Sequence, residues 1–182
     1  MDEQHLLRKL QSPESQHLAF EELVRLYQEM LYYHIRRMVI RHDDADDVLQ
    51  NTFLKAWKYL DKFRGDASLK TWLYRIATNE SLTFLKKRKK ELHEDVSDLQ
   101  DDLRHSLKEE GTYFSGEEIQ QKLQDAILQL PERQRLVFHM RYYDELKYDE
   151  IAEILEVKVG GLKASYHHAV KKIEKQLTLH AG

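Results

Sequence analysis

Aromatic side chains lie close to a basic cluster in the first half of the chain. Phe63 and Trp72 flank the segment 64–71, and the run Lys86–Lys90 follows about one helix length later. Aromatic rings can stack on bases that have left a duplex, and cationic side chains can hold the adjacent phosphates. The combination indicates a site for unpaired nucleic acid. Taken singly, an aromatic ring is more typical of a core, and a basic run is typical of a helix end.

A second basic array lies near the carboxyl end, where residues 148–177 have the pattern of a helix-turn-helix with its turn at Val157–Gly161. The second helix is expected to turn Leu162, Tyr166, Ala169 and Ile173 inward. Its outward side chains could contact base edges and phosphates in a major groove; they are Lys163, Ser165, His167, His168, Lys171 and Lys172. A three-helix packing unit with solvated lysines would produce the same pattern, so the pattern alone leaves both interpretations open.

Catalytic and metal-binding patterns are missing from the sequence. His167 and His168 are adjacent, so on a helix their side chains diverge by about 100° and do not readily share one ion. The chain has no cysteine, which excludes disulfides and thiolate chemistry and fits a reducing cytosol. It also has no phosphate-binding loop or dinucleotide fingerprint. The sequence therefore predicts a binding protein with no cofactor and no metal, not an enzyme.

Composition indicates a helical protein. The 182 residues are 41% apolar, and they include only two prolines and six glycines. The formal net charge is −3, so any nucleic-acid surface must arise from segregation of charge along the chain. No apolar run approaches the ~20 residues that a membrane span requires, and the first residues lack a signal-peptide pattern. We expect an all-α cytoplasmic protein without membrane insertion.

Apolar spacing predicts the helices of the first domain. A short helix is expected over residues 1–11, and the next is expected to open at Ser12-Pro13 and to continue to about Val39. Asp44 is expected to start a third helix, with Asp47 as its capping partner. The apolar stripe of that helix consists of Leu49, Phe53, Ala56, Trp57 and Leu60. Trp57 is assigned to the core. Its opposite face carries Asp47, Gln50, Asn51 and Lys58.

The rest of the chain separates into a second domain. Arg64–Asp66 is predicted to be a turn, and Ser68 is predicted to cap a long helix that enters the basic run. Residues 91–116 are strongly acidic and predict a linker. Helical spacing resumes near Glu117, and Pro131 separates two helices. The predicted architecture is two small helical domains, residues 1–90 and 117–182, joined by an acidic linker.

Two long segments resemble the extracytoplasmic-function (group IV) family of bacterial RNA polymerase sigma factors. The first, DADDVLQNTFLKAWKYLDKFRGDASLKTWLYRIATN, is similar to the family's sigma-2 domain. The second, LPERQRLVFHMRYYDELKYDEIAEILEVKVGGLKASYHHAVKKI, is similar to its sigma-4 domain. The resemblance implies a protein that binds core polymerase, directs it to promoters and nucleates strand opening.

The family resemblance also implies roles for individual residues. Asp47, Gln50 and Asn51 match the face that docks on the polymerase clamp helices. The positions that match contacts to the −10 element and its flipped base are Phe63, Arg64, Gly65, Asp66, Ser68, Lys70, Trp72, Asn79, Lys86, Lys87 and Arg88. The positions that match the helix reading the −35 element are Lys163, Ser165, His167, His168, Lys171 and Lys172.

The implied partners are core RNA polymerase, through its clamp helices and flap, and promoter DNA in double- and single-stranded form. The resemblance also implies an anti-sigma factor, and a monomer when bound to polymerase. The chain departs from the family pattern in several places. Asn51 replaces a usual acidic residue, Thr83 a usual aspartate, and Lys147 a usual hydroxyl residue. Ser165 and His168 replace usual arginines, which indicates a different −35 sequence or weaker dependence on it.

Two other functions fit parts of the pattern. A stand-alone helix-turn-helix repressor or activator would explain the second basic array, but not the Asp47/Gln50 face or the aromatic segment. An acidic helical adaptor that binds a protein partner would need no DNA at all. Co-purification with polymerase distinguishes a sigma factor from both.

Overall fold

The computed structural model describes residues 2–92 and 118–179, and this part of the chain contains helices and no strand. The first four helices are α1 (Glu3–Gln11), α2 (Gln16–Val39), α3 (His42–Tyr59) and α4 (Leu69–Leu92), with a 3₁₀ turn at Leu60–Lys62. The next four are α5 (Glu118–Leu128), α6 (Glu132–Tyr142), α7 (Tyr148–Leu155) and α8 (Val159–Leu179). The all-α prediction is confirmed. Residues 93–116 of the predicted acidic linker lie outside the described residues, and residues 91 and 92 belong to α4.

The chain divides into two units, Met1–Lys90 and Glu91–Gly182. In the first unit α2 packs on both α1 and α3. Fully buried aliphatic residues such as Leu23, Leu31 and Ile35 of α2 form its core with Val48 of α3 and Leu73 of α4. The apolar residues whose spacing predicts these helices thus also form the surfaces by which the helices pack.

Polar contacts attach α4 to the rest of the first unit. The Nε2 atom of His34, on α2, lies 2.8 Å from the hydroxyl of Thr78, and both side chains are buried. The His34 ring also lies against Tyr74, with 4.9 Å between ring centroids. On the other side of α4, Lys55 of α3 forms an ion pair with Glu80. Contacts on both sides hold α4 in one orientation against α2 and α3.

Two predicted helix starts in this unit are wrong. α2 begins after Ser15 rather than at Ser12-Pro13, because residues 12–15 close α1: the Ser15 hydroxyl donates to the Lys9 carbonyl at 2.8 Å. α3 begins at His42, so Asp44 lies inside its first turn and does not cap it. The predicted end of α2 at Val39 is confirmed.

In the second unit α8 is the central helix and packs against α5, α6 and α7. Ala169 and Ile173 of α8 share a core with Ile127 of α5 and Phe138 of α6. The predicted inward face of α8 is confirmed, since Leu162, Ala169 and Ile173 are buried and Tyr166 packs on that core. Pro131 separates α5 from α6 as predicted.

The turn of the helix-turn-helix is shorter than predicted. α8 starts at Val159, so Gly160 and Gly161 form its first turn and the connection is only residues 156–158. Glu156 closes α7 in the left-handed conformation, with φ 55°. At the other end of α7, the Glu150 carboxylate accepts the Lys147 backbone N–H at 2.8 Å. This contact caps the helix even though a lysine side chain has no acceptor to offer.

Glu156→Gly is expected to raise the free energy of unfolding by about 0.5–1 kcal/mol, because glycine adopts the left-handed conformation without the steric cost of a Cβ. The same change at Glu153, inside α7, is expected to lower it by about 1 kcal/mol. Urea unfolding of both variants checks the pair. A Glu156→Gly protein less stable than the parent would contradict the left-handed assignment.

Candidate nucleic-acid interface

One exposed face of α3 carries the side chains predicted to bind polymerase. Asp47, Gln50 and Asn51 are all exposed, and they share one side of the helix because they are spaced by three and four residues. Leu54, one helical turn beyond Gln50, is 68% exposed. The face therefore begins polar and continues with an apolar side chain that the sequence analysis did not single out.

The assignment of Trp57 to the core is wrong, because its side chain is 41% exposed. The indole instead packs edge-to-face on Phe20 of α2, with ring centroids 4.9 Å apart, and contacts the ring of His17. The α3 positions that are buried are Ala45, Val48, Thr52, Phe53 and Ala56. This stripe is rotated from the predicted one, so Trp57 lies at its margin and contributes to the surface.

The loop between the 3₁₀ turn and α4 carries the predicted −10 residues. Phe63 and Trp72 are both half-buried, and their rings lie 4.7 Å apart with an interplanar angle of 37°. Gly65 has φ +78°, a conformation that side chains with a Cβ rarely adopt. Arg64, Gly65 and Asp66 are exposed. Phe63 of the loop and Trp72 of α4 thus form an aromatic pair at the surface, next to a left-handed turn.

The start of α4 is capped as predicted, because the Ser68 hydroxyl accepts the Thr71 backbone N–H at 3.0 Å. Lys70 in the same turn is half-buried. Further along α4, Asn79, Lys86 and Lys87 are exposed, as is Thr83. These residues lie on accessible parts of the helix that follows the loop.

Arg88 differs from its basic neighbours, because its side chain is buried and paired within the protein. It is 6% exposed, and its Nη1 lies 3.0 Å from the carboxylate of Asp44. Burial raises the pKa of Asp44 even though Arg88 lowers it. Because the folded-state pKa is raised, this carboxyl stabilises the fold at low pH and loses that contribution as pH rises through the folded pKa. The guanidinium joins α4 to α3 inside the protein.

Asp44→Ala is expected to lower the free energy of unfolding by about 2–3 kcal/mol, because the buried Arg88 charge loses this carboxylate. Replacing both partners, Asp44→Leu with Arg88→Met, is expected to recover most of that loss because no charge then remains desolvated. Urea unfolding of Asp44→Leu, Arg88→Met and the double variant gives the coupling energy. A double variant as unstable as the sum of the singles would show that the two side chains act independently.

The outer face of α8 carries the predicted −35 residues. Lys163, His167, His168, Lys171 and Lys172 are exposed, and Ser165 is half-buried. Lys172 donates to the Oε1 of Gln134 on α6 at 3.1 Å. The rings of His167 and His168 lie 6.2 Å apart. Among the described residues no group of histidines and carboxylates could hold a metal ion.

An aromatic residue missed by the sequence analysis lies beside this face. Tyr148, at the start of α7, has the guanidinium of Arg141 at 5.0 Å from its ring centroid and the Nζ of Lys163 at 5.8 Å. Cations over an aromatic face are attracted by its quadrupole. Tyr148 therefore restrains Lys163 while leaving it exposed, a contact that sequence spacing does not reveal.

Each of the two units matches a known protein family. The model of Sigma-70 region 2 matches residues 23–91, and the model of Sigma-70, region 4 matches residues 120–173. The ECF RNA polymerase sigma factor SigW of Bacillus subtilis is 32% identical over 168 residues, which cover 87% of this chain and 89% of that protein. The ECF RNA polymerase sigma-E factor of Escherichia coli is 33% identical over 185 residues, covering 97% and 95%.

Solved structures share the fold. CnrH in complex with the cytosolic domain of CnrY superimposes with a TM-score of 0.68 at 23% identity, covering 98% of this chain and 99% of that one. Sigma factor RpoE in complex with the anti-sigma factor NepR from Bartonella quintana gives 0.67 at 24% identity, covering 87% and 96%. None of the described helices is long and apolar enough to cross a membrane. With relatives above 30% identity along most of its length and both sigma regions present, the chain belongs to the ECF sigma factors, which direct RNA polymerase to specific promoters.

Proposed function

We propose that this sigma factor uses three surfaces in initiation. The polar face of α3 holds core polymerase, the loop Phe63–Ser68 captures a base of the −10 element, and the outer face of α8 reads the −35 element. The observation that carries the proposal is the half-buried pair of Phe63, on the loop, and Trp72, in the capped first turn of α4. Half-burial leaves part of each ring accessible to a base.

The α3 face supports polymerase binding through its exposed carboxylate and amides. Asp47, Gln50 and Asn51 are available without any change in the fold, and the clamp helices of the polymerase are their proposed partner. Asn51 offers an amide where the family usually has a carboxylate, so one charge-assisted contact is replaced by a neutral hydrogen bond. The second unit is proposed to contact the polymerase flap.

We propose that strand opening depends on the aromatic pair and its basic surroundings. Extruding a base costs a few kcal/mol, and stacking on an aromatic side chain returns about 1–3 kcal/mol per base. Arg64, Lys70, Asn79, Lys86 and Lys87 are proposed to follow the backbone and edges of the −10 strand, together with the backbone of Gly65–Asp66. Arg88 is left out because its guanidinium is buried.

The α8 face supports reading of the −35 element in the major groove by Lys163, Ser165, His167 and His168. Lys171 and Lys172 are proposed to contact phosphates. The hydroxyl of Ser165 and the imidazole of His168 cannot reproduce the bidentate arginine–guanine contact. We therefore expect weaker dependence on the −35 sequence, with more of the binding free energy supplied at the −10 element.

His168→Arg is expected to increase promoter affinity about fivefold or more at a −35 element that offers guanine, since each bidentate arginine–guanine pair gives about 1–3 kcal/mol. Competition binding of the polymerase complex to promoters that vary at −35 measures the gain. His5→Arg on α1, also exposed, adds the same charge outside this face and is the control. Equal effects of the two variants, or none from His168→Arg, would place His168 away from the bases.

Sigma factors are non-catalytic regulators, and we propose that no bond is made or broken by this chain; polymerase carries out the chemistry. We propose that it acts in the cytoplasm with polymerase and without a cofactor, as a single copy in each polymerase complex. An anti-sigma factor is a further proposed partner. Exposed apolar side chains beside the polymerase face, Leu54 at 68% and Trp57 at 41%, support a protein that covers this surface when polymerase is absent.

Co-purification with core polymerase tests the proposal. The chain is expected to be retained by core polymerase, and the complex to bind promoter DNA tightly with strong salt dependence. The free protein is expected to bind promoter DNA poorly because its net charge is −3. Nanomolar promoter binding by the free protein at physiological salt would favour a stand-alone repressor. Binding to neither polymerase nor DNA would favour an adaptor.

A further inference from the structure

The amino-terminal helix α1 contacts the start of α4, at the end of the loop Phe63–Ser68, which is called the −10 loop below. The Glu3 Oε1 accepts the Leu69 backbone N–H at 2.8 Å. The first amides of a helix have no acceptor within the helix itself. Ser68 supplies an acceptor for Thr71, and Glu3, from the other end of the unit's sequence, supplies the one for Leu69.

Several contacts hold α1 in the position that this hydrogen bond requires. Leu6 and Leu10 are each 2% exposed, and Gln16 Nε2 donates to the Leu10 carbonyl at 3.0 Å. Burial raises the pKa of Tyr27 on α2, and the negative charge of Glu3 raises it further. Glu3 is half-buried, and its carboxylate accepts a hydrogen bond from the start of α4.

α1 also lies against the other end of the loop. A cavity of about 190 Å³ is bounded by Leu7 and Gln11 of α1, by Leu60 and Asp61 of the 3₁₀ turn, and by Phe63. One wall of the space beside Phe63 is thus formed by α1. The same short helix thus lines a cavity with Phe63 of the loop and forms a hydrogen bond to Leu69, the first residue of α4.

We propose that α1 is a brace for the −10 loop and that Glu3 is a positioning residue for −10 recognition. In this proposal Glu3 acts through α4 and not through a contact of its own with DNA. It fixes the first turn of α4, and with it the distance between Phe63 and Trp72, so that the aromatic pair is preformed before a base arrives. The inference rests on the proposed function of the loop, and its test separates the two.

The test uses the full chain bound to core polymerase, with Glu3→Ala, Glu3→Gln and the control Glu14→Ala. Glu14 is exposed, so the control removes one carboxylate nearby without altering the brace. Open-complex formation is followed by 2-aminopurine fluorescence in the −10 element. Glu3→Ala is expected to reduce it about fivefold to tenfold, which corresponds to the loss of one ordinary intramolecular hydrogen bond. Glu3→Gln, whose amide oxygen can still accept, is expected to recover most of the signal, and polymerase retention should not change.

Hydrogen exchange of the Leu69 amide in the free protein provides a readout that needs no DNA. Exchange is expected to accelerate in Glu3→Ala and to stay near the parent rate in Glu14→Ala. Unchanged exchange, or faster exchange with unchanged open-complex formation, would overturn the brace while leaving the loop's function intact. Equal losses of polymerase retention and of DNA opening in Glu3→Ala would also overturn it, because they would show that the substitution unfolds the first unit. If Phe63→Leu is silent in the same assay, the proposed function of the loop fails instead.

Discussion

Replacing both Asp47 and Gln50 with lysine is expected to abolish retention of core polymerase, and with it promoter-dependent transcription, while the first unit stays folded. Both side chains are exposed, so no buried contact is lost. The new charges would oppose a polymerase surface that, on the family resemblance, accepts acidic and amide partners. The cost is on the order of several kcal/mol where the contact is desolvated. Pull-down of core polymerase and run-off transcription from a cognate promoter measure the two losses.

Lys163→Glu provides the matched charge change in the second unit. It brings a negative charge towards phosphates and removes a cation from Tyr148, so transcription is expected to fall while polymerase retention persists. Lys175→Glu, exposed on the same helix but beyond the proposed contact positions, is the control for net charge. Full transcription by the Asp47/Gln50 variant, or loss of the pull-down with Lys163→Glu, would show that the two faces are wrongly assigned.

The features of the fold that the sequence predicts correctly are those that depend on local spacing along a helix. The inward face of α8 and the Ser68 cap of α4 depend on spacing within one helix turn or on a single side chain next to its own backbone. Such local rules are visible in a linear pattern. The predicted start of α2 is wrong because Ser15 donates a hydrogen bond to the Lys9 carbonyl of α1. A serine–proline pair can end one helix or open another, so the pattern alone does not decide between them.

Contacts between residues far apart in sequence explain what the linear pattern does not reveal. Arg88 appears in the sequence as one of five consecutive basic residues, yet it pairs with Asp44, 44 positions earlier. Glu3 caps Leu69 across 66 positions. Trp57 fits an apolar stripe, but the stripe that is buried is set by the rotation of α3 against α2. None of these could be read from composition or period, because the partner is specified only by the fold.

The candidate sites follow the same division. The face of α3 and the outer face of α8 were predictable, because exposure alternates with burial along each helix. The contact of Tyr148 with Lys163 and the exposed Leu54 were not, since a tyrosine and a leucine are more often core residues than surface contacts. Which apolar side chains remain exposed on these faces depends on the tertiary packing and not on the sequence pattern.

Phe63→Leu is expected to reduce open-complex formation by roughly tenfold, with a range of about 5- to 100-fold, because base stacking on an aromatic side chain is worth about 1–3 kcal/mol. Phe63→Tyr is the matched control, since it keeps the ring that faces Trp72 at 4.7 Å and should retain most of the activity. Phe63 is only half-buried, so the leucine variant should lose at most about 1 kcal/mol of stability. Permanganate reactivity of −10 thymines measures opening, and pull-down verifies that polymerase binding persists.

A premelted promoter separates the stacking role from a merely structural one. When the −10 bases are already unpaired, parent and variant are both spared the cost of extrusion, so the binding deficit of Phe63→Leu is expected to persist because stacking on the unpaired base is still lost. Trp72→Phe should behave like the parent on both templates, and Trp72→Ala like Phe63→Leu. A deficit that vanishes on the premelted template would indicate that the ring does not stack on the unpaired base. Leucine and tyrosine variants of equal activity would exclude aromatic stacking at this position, because leucine shares the apolar bulk of phenylalanine and lacks only the ring.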